Sequence, residues 1–153
     1  MFFEERQTFL ANRLVQALLV VLLGGIVAWG LWQRGMGGLS LSVLSAPVLV
    51  LGLLFAMQLR VVVRPGEVGV HLRPFPRKVI ALDEIVDHAP RTYRPVLEYG
   101  GWGLRTGRHG WAYNVHGNRG VQLQLQNGQR ILIGSQRPEE LARAIAEAKA
   151  ARA

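Results

Sequence analysis

The stretch LVQALLVVLLGGIVAWGLWQ, residues 14–33, carries no charged side chain. A second apolar stretch, LSLSVLSAPVLVLGLLFAMQL, covers residues 39–59, and the five residues RGMGG separate the two. A helix rises 1.5 Å per residue, so twenty helical residues extend about 30 Å, the thickness of the hydrocarbon core of a bilayer. The two stretches therefore predict a transmembrane helical hairpin over residues 14–59, with spans at about 14–33 and 39–59.

Basic residues flank the two stretches unequally. The turn between the stretches carries only Arg34, whereas the segment after the second stretch is rich in basic residues. The positive-inside rule then places both termini in the cytoplasm, and residues 1–13 become a short amphipathic cytoplasmic leader. Neither stretch contains an ionisable residue, which argues against a transport path through them.

The composition changes at Arg60. From there onward the chain has fifteen Lys and Arg against eight Asp and Glu, which is +7 of the net charge of +8. A basic domain beside a bilayer suits anionic lipid head groups as partners. We expect no nucleic-acid partner, because the arginines are scattered. The chain has no cysteine, which excludes disulfides, thiolate metal sites and a cysteine nucleophile.

The hydrophobic period changes from helical to two after Arg60, which predicts short β-strands. Val61–Val63 and Val68–Leu72 flank a Pro-Gly turn and form the first hairpin. Further short strands follow, and the segment from Tyr93 to Gly101 has the composition of a loop.

The segment from Val121 to Ile133 predicts the clearest hairpin, with its turn at Asn127-Gly128. A three-residue loop pairs Val121 with Ile133 and Leu123 with Ile131. We prefer this register because it places every apolar side chain on one face, whereas a slip by one residue would not.

A helix over about 137–151 ends the predicted domain. Pro138 lies in its first turn, where proline is tolerated, and two glutamates follow near the positive end of the helix dipole. Four residues form one narrow apolar stripe: Leu141, Ala144, Ile145 and Ala148.

Three segments resemble the bacterial pleckstrin homology (PH)-like domain family, in which many members carry two N-terminal membrane spans. They are KVIALDEI (78–85), EYGGWGLR (98–105) and AYNVHGNRGVQLQLQNGQRILIGSQRPEEL (112–141). The resemblance covers roughly residues 40–150. It implies an α+β membrane protein in the bacterial inner membrane, with a PH-like bent β-barrel over residues 60–153 and a C-terminal α-helix.

No constellation of residues predicts catalysis. The four histidines lack the spacing of metal ligands, and no phosphate-binding glycine motif is present. We therefore predict no enzyme and no catalytic, cofactor-binding or metal-binding residue.

Two sets of residues are candidates for binding. The possible lipid-facing basic residues are Arg60, Arg64, Arg73, Arg77 and Lys78. The possible interface aromatics are Trp102 and Trp111, with the protein core as the alternative location.

Three functions fit these observations. The first is a membrane-anchored, non-enzymatic binding or scaffold module that docks a protein partner at the cytoplasmic face. The second is a sensor or docking domain for anionic lipid head groups. The third is a subunit of a membrane enzyme or transporter complex.

Overall fold

The chain divides into two compact units. The computed structural model describes residues 1–11, 13–34, 49–50, 52–53 and 56–151. One unit is Phe9–Ala56, and the other joins Met1–Thr8 to Met57–Ala153. We call the second unit the β domain. It is discontinuous in sequence, because its first eight residues precede the other unit.

The described part of the β domain contains nine strands and two α-helices. The strands are β1 (Phe3–Thr8), β2 (Gln58–Arg64), β3 (Glu67–Arg73), β4 (Lys78–Ala81), β5 (Ile85–Thr92), β6 (Gly103–Gly107), β7 (Gly110–Asn114), β8 (Arg119–Leu125) and β9 (Arg130–Gly134). In the other unit, a 3-10 turn (Phe9–Ala11) leads into helix α1 (Arg13–Arg34). The helices of the β domain are α2 (Pro95–Tyr99) and α3 (Pro138–Ala150).

The strands form two separate sheets. The first has the order β1-β2-β3-β4 and is antiparallel throughout. The second has the order β5-β8-β9-β7-β6, and its β7–β9 pair is parallel. The predicted PH-like bent β-barrel is therefore wrong, since no ladder among the described strands joins the sheets. The 3-10 turn Leu82–Glu84 carries the chain from β4 to β5 without pairing them, and a barrel needs every edge strand to pair.

The predicted membrane topology also requires correction. Span 14–33 falls within α1, whereas most of span 39–59 lies outside the described residues. Counted over the residues that the structure describes, no helix is long and apolar enough to cross a membrane. This finding contradicts the prediction of an integral, multi-pass inner-membrane protein with two transmembrane helices and cytoplasmic termini.

The predicted leader contains a strand of the first sheet. In β1, Glu5 lies opposite Val61 on β2, and both side chains point into the domain. The buried Glu5 carboxylate accepts hydrogen bonds from Ser135 Oγ (2.5 Å), Gln136 N (2.8 Å) and Gln7 Nε2 (3.0 Å). The sequence did not predict this strand, because the inward residues Glu5 and Gln7 are polar and the apolar alternation typical of a strand is therefore missing.

Arg137, at the start of α3, makes two further contacts with β1. Its Nη2 donates to the Glu4 carbonyl (3.1 Å), and its guanidinium lies 5.0 Å from the centre of the Phe3 ring. These contacts join the start of α3 to the first strand, although Arg137 and Glu4 are 133 positions apart in sequence.

The main core lies between the two sheets and α3. The predicted hairpin register is confirmed, since Val121 pairs with Ile133 and Leu123 with Ile131. All four of these side chains are fully buried. The four residues of the predicted helical stripe, from Leu141 to Ala148, are buried as well.

A smaller core lies on the outer face of the second sheet, beneath α2. It consists of Tyr93, Tyr99, Ala112 and Leu132. The two tyrosine rings meet edge to face with centroids 6.0 Å apart. Asn114 Nδ2 donates to the Tyr93 hydroxyl (3.0 Å). The segment expected to be a loop therefore contains a short helix. The composition of the segment predicted neither this helix nor the burial of Tyr93 and Tyr99.

We expect Glu5→Ala to lower the free energy of unfolding by about 3 kcal/mol, because it leaves buried donors without an acceptor. Thr8→Ala is the matched control, since Thr8 is an exposed residue at the end of the same strand. Its effect should stay within about 0.5 kcal/mol. Urea denaturation measures both. Equal midpoints for Glu5→Ala and the wild type would show that the Glu5 network does not hold β1.

Burial raises the pKa of Tyr93 to about 12, from an ordinary value of 10.0. The stability contributed by the neutral phenol is fully present below pH 10 and is lost as the pH rises toward about 12. A shift of this size corresponds to about 3 kcal/mol at most. Denaturant midpoints measured across this range should fall with pH. The fall should be shallower in Tyr93→Phe, and an identical slope in that variant would contradict the assignment.

Candidate functional site

Strand alternation gathers cationic side chains on the outer face of the first sheet. Arg6 on β1 lies directly opposite Arg60 on β2, and Arg60 lies directly opposite His71 on β3. Arg64 and Arg73 have the same strand parity as this row. We define the basic face as Arg6, Arg60, Arg64, His71, Arg73 and Arg77.

Two shallow cavities open on the basic face. The first has a volume of ≈ 90 Å³ and is lined by Arg6, Gln58, Leu59, Arg60, His71 and Arg73. The second has a volume of ≈ 140 Å³ and is lined by Arg60, Val62, Arg64, Gly69, His71 and Arg77. Arg60 and His71 therefore form the boundary between the cavities.

Glu4 is the counter-ion of two arginines that line the first cavity. Its Oε1 accepts from Arg6 Nε (3.0 Å) and lies 2.9 Å from Arg60 Nη2. The hydrogen bond from Arg6 lowers the pKa of Glu4 most strongly, and desolvation opposes it. The charges of Arg60 and Arg6 lower the pKa further, so it lies below its ordinary value. In contrast, neither His71 nor Arg73 forms an ion pair with any residue that the structure describes.

Glu67 is likewise the counter-ion of two arginines that line the second cavity. Its Oε1 lies 2.7 Å from Arg77 Nη2 and 3.8 Å from Arg64 Nη1. Arg77 lies outside the strands and folds back over Gly69, where a Cβ would approach Nη2 to 2.8 Å. A glycine at this position thus leaves room for the guanidinium to lie against the sheet.

The structure brings together four of the five predicted basic residues: Arg60, Arg64, Arg73 and Arg77. Lys78 is exposed but lies opposite the buried Val70, so it belongs to the other side of the sheet. Sequence reasoning missed Arg6 and His71. The alternation of His71 with Leu72 and Arg73 was sufficient to find the histidine, whereas Arg6 required knowledge that residues 3–8 form a strand.

The two predicted interface aromatics lie in different environments. Trp102 is partly buried, and its Nε1 donates to the Gly117 carbonyl (2.9 Å). Trp111, on β7, is 45% exposed. The two are not neighbours in a strand ladder, because Trp111 pairs with Thr106 and Ile131.

A second polar cluster surrounds Glu98 at the end of α2. Its carboxylate accepts from Arg91 Nη2 and from the Arg94 amide (2.8 Å), and His109 Nε2 lies 3.9 Å away. Desolvation raises the pKa of Glu98, but the Arg94 amide and the Arg91 charge outweigh it, so the pKa lies below its ordinary value. The Glu98 carboxylate therefore has a structural role, since its contact with Arg91 on β5 connects α2 to the second sheet.

No group of three or more His, Asp or Glu side chains converges as a metal site among residues 1–11, 13–34, 49–50, 52–53 and 56–151. No family model matches the chain, and no curated protein is significantly similar to it.

Gly69 and Gly120 make a matched pair for testing how firmly Arg77 is held. Neither glycine has a positive φ. A Cβ at Gly120 would meet the Ile133 carbonyl oxygen at 2.4 Å, whereas a Cβ at Gly69 would meet only the end of the Arg77 side chain. Gly120→Ala should therefore lower the free energy of unfolding by about 2 kcal/mol, and Gly69→Ala by less than about 1 kcal/mol.

Urea denaturation of both variants provides the comparison. An equal loss of unfolding free energy in the two variants would contradict the prediction. It would indicate that the Arg77 side chain moves no more easily than the Ile133 carbonyl.

Proposed function

We propose that this protein is a non-enzymatic, PH-like binding module whose basic face docks on the anionic head groups of a lipid surface. The proposal rests on one observation, the row of Arg6, Arg60 and His71 across three neighbouring strands. Arg6 and Arg60 are like charges directly opposite each other, an arrangement that destabilises a sheet, and the single carboxylate of Glu4 offsets only part of their charge. A further anion that binds beside them offsets the positive charge that remains.

The charge of the face supports an anionic ligand. Five arginines and two glutamates give it a net charge of +3 with His71 neutral. Arginine is well suited to such a ligand, because its planar guanidinium binds phosphate and carboxylate oxygens in pairs.

The size of the cavities supports a small anionic group as the part that enters them. Pockets for drug-sized organic ligands have volumes of about 300–1,000 Å³. The two cavities, at ≈ 90 Å³ and ≈ 140 Å³, are less than half the lower limit of this range. A phosphate group presented at a surface matches this size, and the remaining arginines can contact its neighbours.

The β-rich architecture shares its many strands and its C-terminal helix with PH-like modules, although the described strands of its two sheets do not close into a barrel. It has two sheets and a C-terminal helix that contributes to the core. On such a scaffold the strands fix the backbone positions of Arg6, Arg60, Arg64 and Arg73, which reduces the conformational entropy lost when the anion binds.

The experiment is co-sedimentation of the full chain with neutral phosphatidylcholine vesicles and with vesicles that also contain an anionic lipid. Each arginine near an anionic surface contributes about 1 kcal/mol, so the double variant Arg60→Gln/Arg73→Gln should bind about 30-fold more weakly. Arg130→Gln/Arg143→Gln is the matched control. It removes the same charge from exposed positions on β9 and α3.

Two results would contradict the proposal. One is wild-type binding that is equal on neutral and anionic vesicles. The other is an equal loss of binding in the two double variants, which would mean that only net charge matters. Release of the protein from vesicles by dilute inorganic phosphate would instead indicate a soluble phosphate ligand.

A further inference from the structure

We propose that Glu4 is an internal competitor for the anion in the first cavity, and that it selects phosphate monoesters over ligands with a single negative charge. This inference rests on the proposed function, since it concerns the ligand of the same face. It adds a residue that determines specificity and a chemical class of head group.

The ion pairs identify the first cavity as the binding site. In the second cavity, Glu67 lies within ion-pair distance of both Arg64 and Arg77. In the first cavity, Glu4 engages Arg6 and Arg60, and Arg73 has no acidic partner in the described part of the chain. An incoming anion therefore finds an unpaired arginine only in the first cavity.

The anion must also compete with Glu4 for Arg60. Glu4 Oε1 lies 3.0 Å from Arg60 Nε and 2.9 Å from its Nη2, so one carboxylate oxygen uses both donors. A ligand with a single negative charge only replaces the contact of Arg60 with Glu4 by an equivalent contact with itself, so it gains little binding energy at Arg60. It gains mainly the contact with Arg73.

A phosphate monoester gains more from the same exchange. It carries a charge of about −1.5 to −2 at pH 7 and three strong acceptor oxygens. It can therefore bind Arg73 and Arg60 together, while Glu4 keeps its hydrogen bond from Arg6. A phosphate diester, which carries one negative charge, lacks this advantage.

Glu67 provides a matched control for Glu4. Both glutamates lie at the first sheet, and both bridge two arginines with Oε1. Glu4→Gln and Glu67→Gln therefore raise the charge of the basic face equally. Only Glu4→Gln removes a carboxylate that competes for Arg6 and Arg60, which line the first cavity.

The test compares full-chain binding to vesicles of equal anionic lipid content that contain either phosphatidic acid, a phosphate monoester, or phosphatidylglycerol, a diester. We expect the wild type to prefer phosphatidic acid by about fivefold or more, equivalent to about one additional charge contact. Glu4→Gln should bind phosphatidylglycerol more tightly and lose most of this preference. Glu67→Gln should bind both lipids more tightly and keep it.

The outcomes separate the inference from the proposed function. Equal wild-type binding to the two anionic lipids would overturn the inference alone, as would a preference that survives in Glu4→Gln. Binding to neither anionic lipid above the neutral baseline would overturn the proposed function and the inference with it. Denaturant midpoints of both variants show whether each is folded in the binding assay.

Discussion

The architecture of the β domain depends on the pairing of β1 with β2. This ladder joins residues on either side of the Phe9–Ala56 unit, since Thr8 pairs with Gln58. In the unfolded chain, bringing together the ends of a segment of about 50 residues costs about 3–4 kcal/mol in chain entropy. The hydrogen bonds to Glu5, the buried Phe3 ring and the contacts from Arg137 oppose that cost.

The same pairing also determines the charge of the outer surface. Because side chains alternate along a strand, turning Glu5 inward turns Glu4 and Arg6 outward. Arg6 completes the cationic row that Arg60 and His71 begin, and Glu4 supplies the carboxylate that partly neutralises it. The contacts that stabilise β1 and the residues of the proposed anion site thus lie on opposite faces of a single six-residue strand.

Sequence patterns predicted the parts of the fold in which apolar periodicity is clear. The β8–β9 register followed from the alternation of Leu and Val with Gln, and α3 from its narrow apolar stripe. They did not predict β1, because Glu5 and Gln7 are the inward residues of that strand and no hydrophobic pattern marks them. The separate sheets depend on which strands pair, and pairing between distant segments leaves no local pattern.

The candidate site was predicted in part for the same reason. Arg60, Arg64, Arg73 and Arg77 are close in sequence and were grouped as a charge cluster. Strand parity separates Lys78 from them, and folding brings Arg6 from the other end of a long insertion. The apolar stretches gave the strongest sequence pattern, yet the prediction drawn from them, an integral membrane protein, is contradicted.

The place where the chain leaves and re-enters the first sheet has a consequence for protein engineering. Thr8 and Gln58 are partners in an antiparallel ladder, where paired Cα atoms are about 5 Å apart. The Phe9–Ala56 segment connects β1 to β2 in sequence, as a hairpin turn connects two neighbouring antiparallel strands. Any segment whose ends lie this close together has the geometry to replace it, so the sheet provides a natural site for grafting.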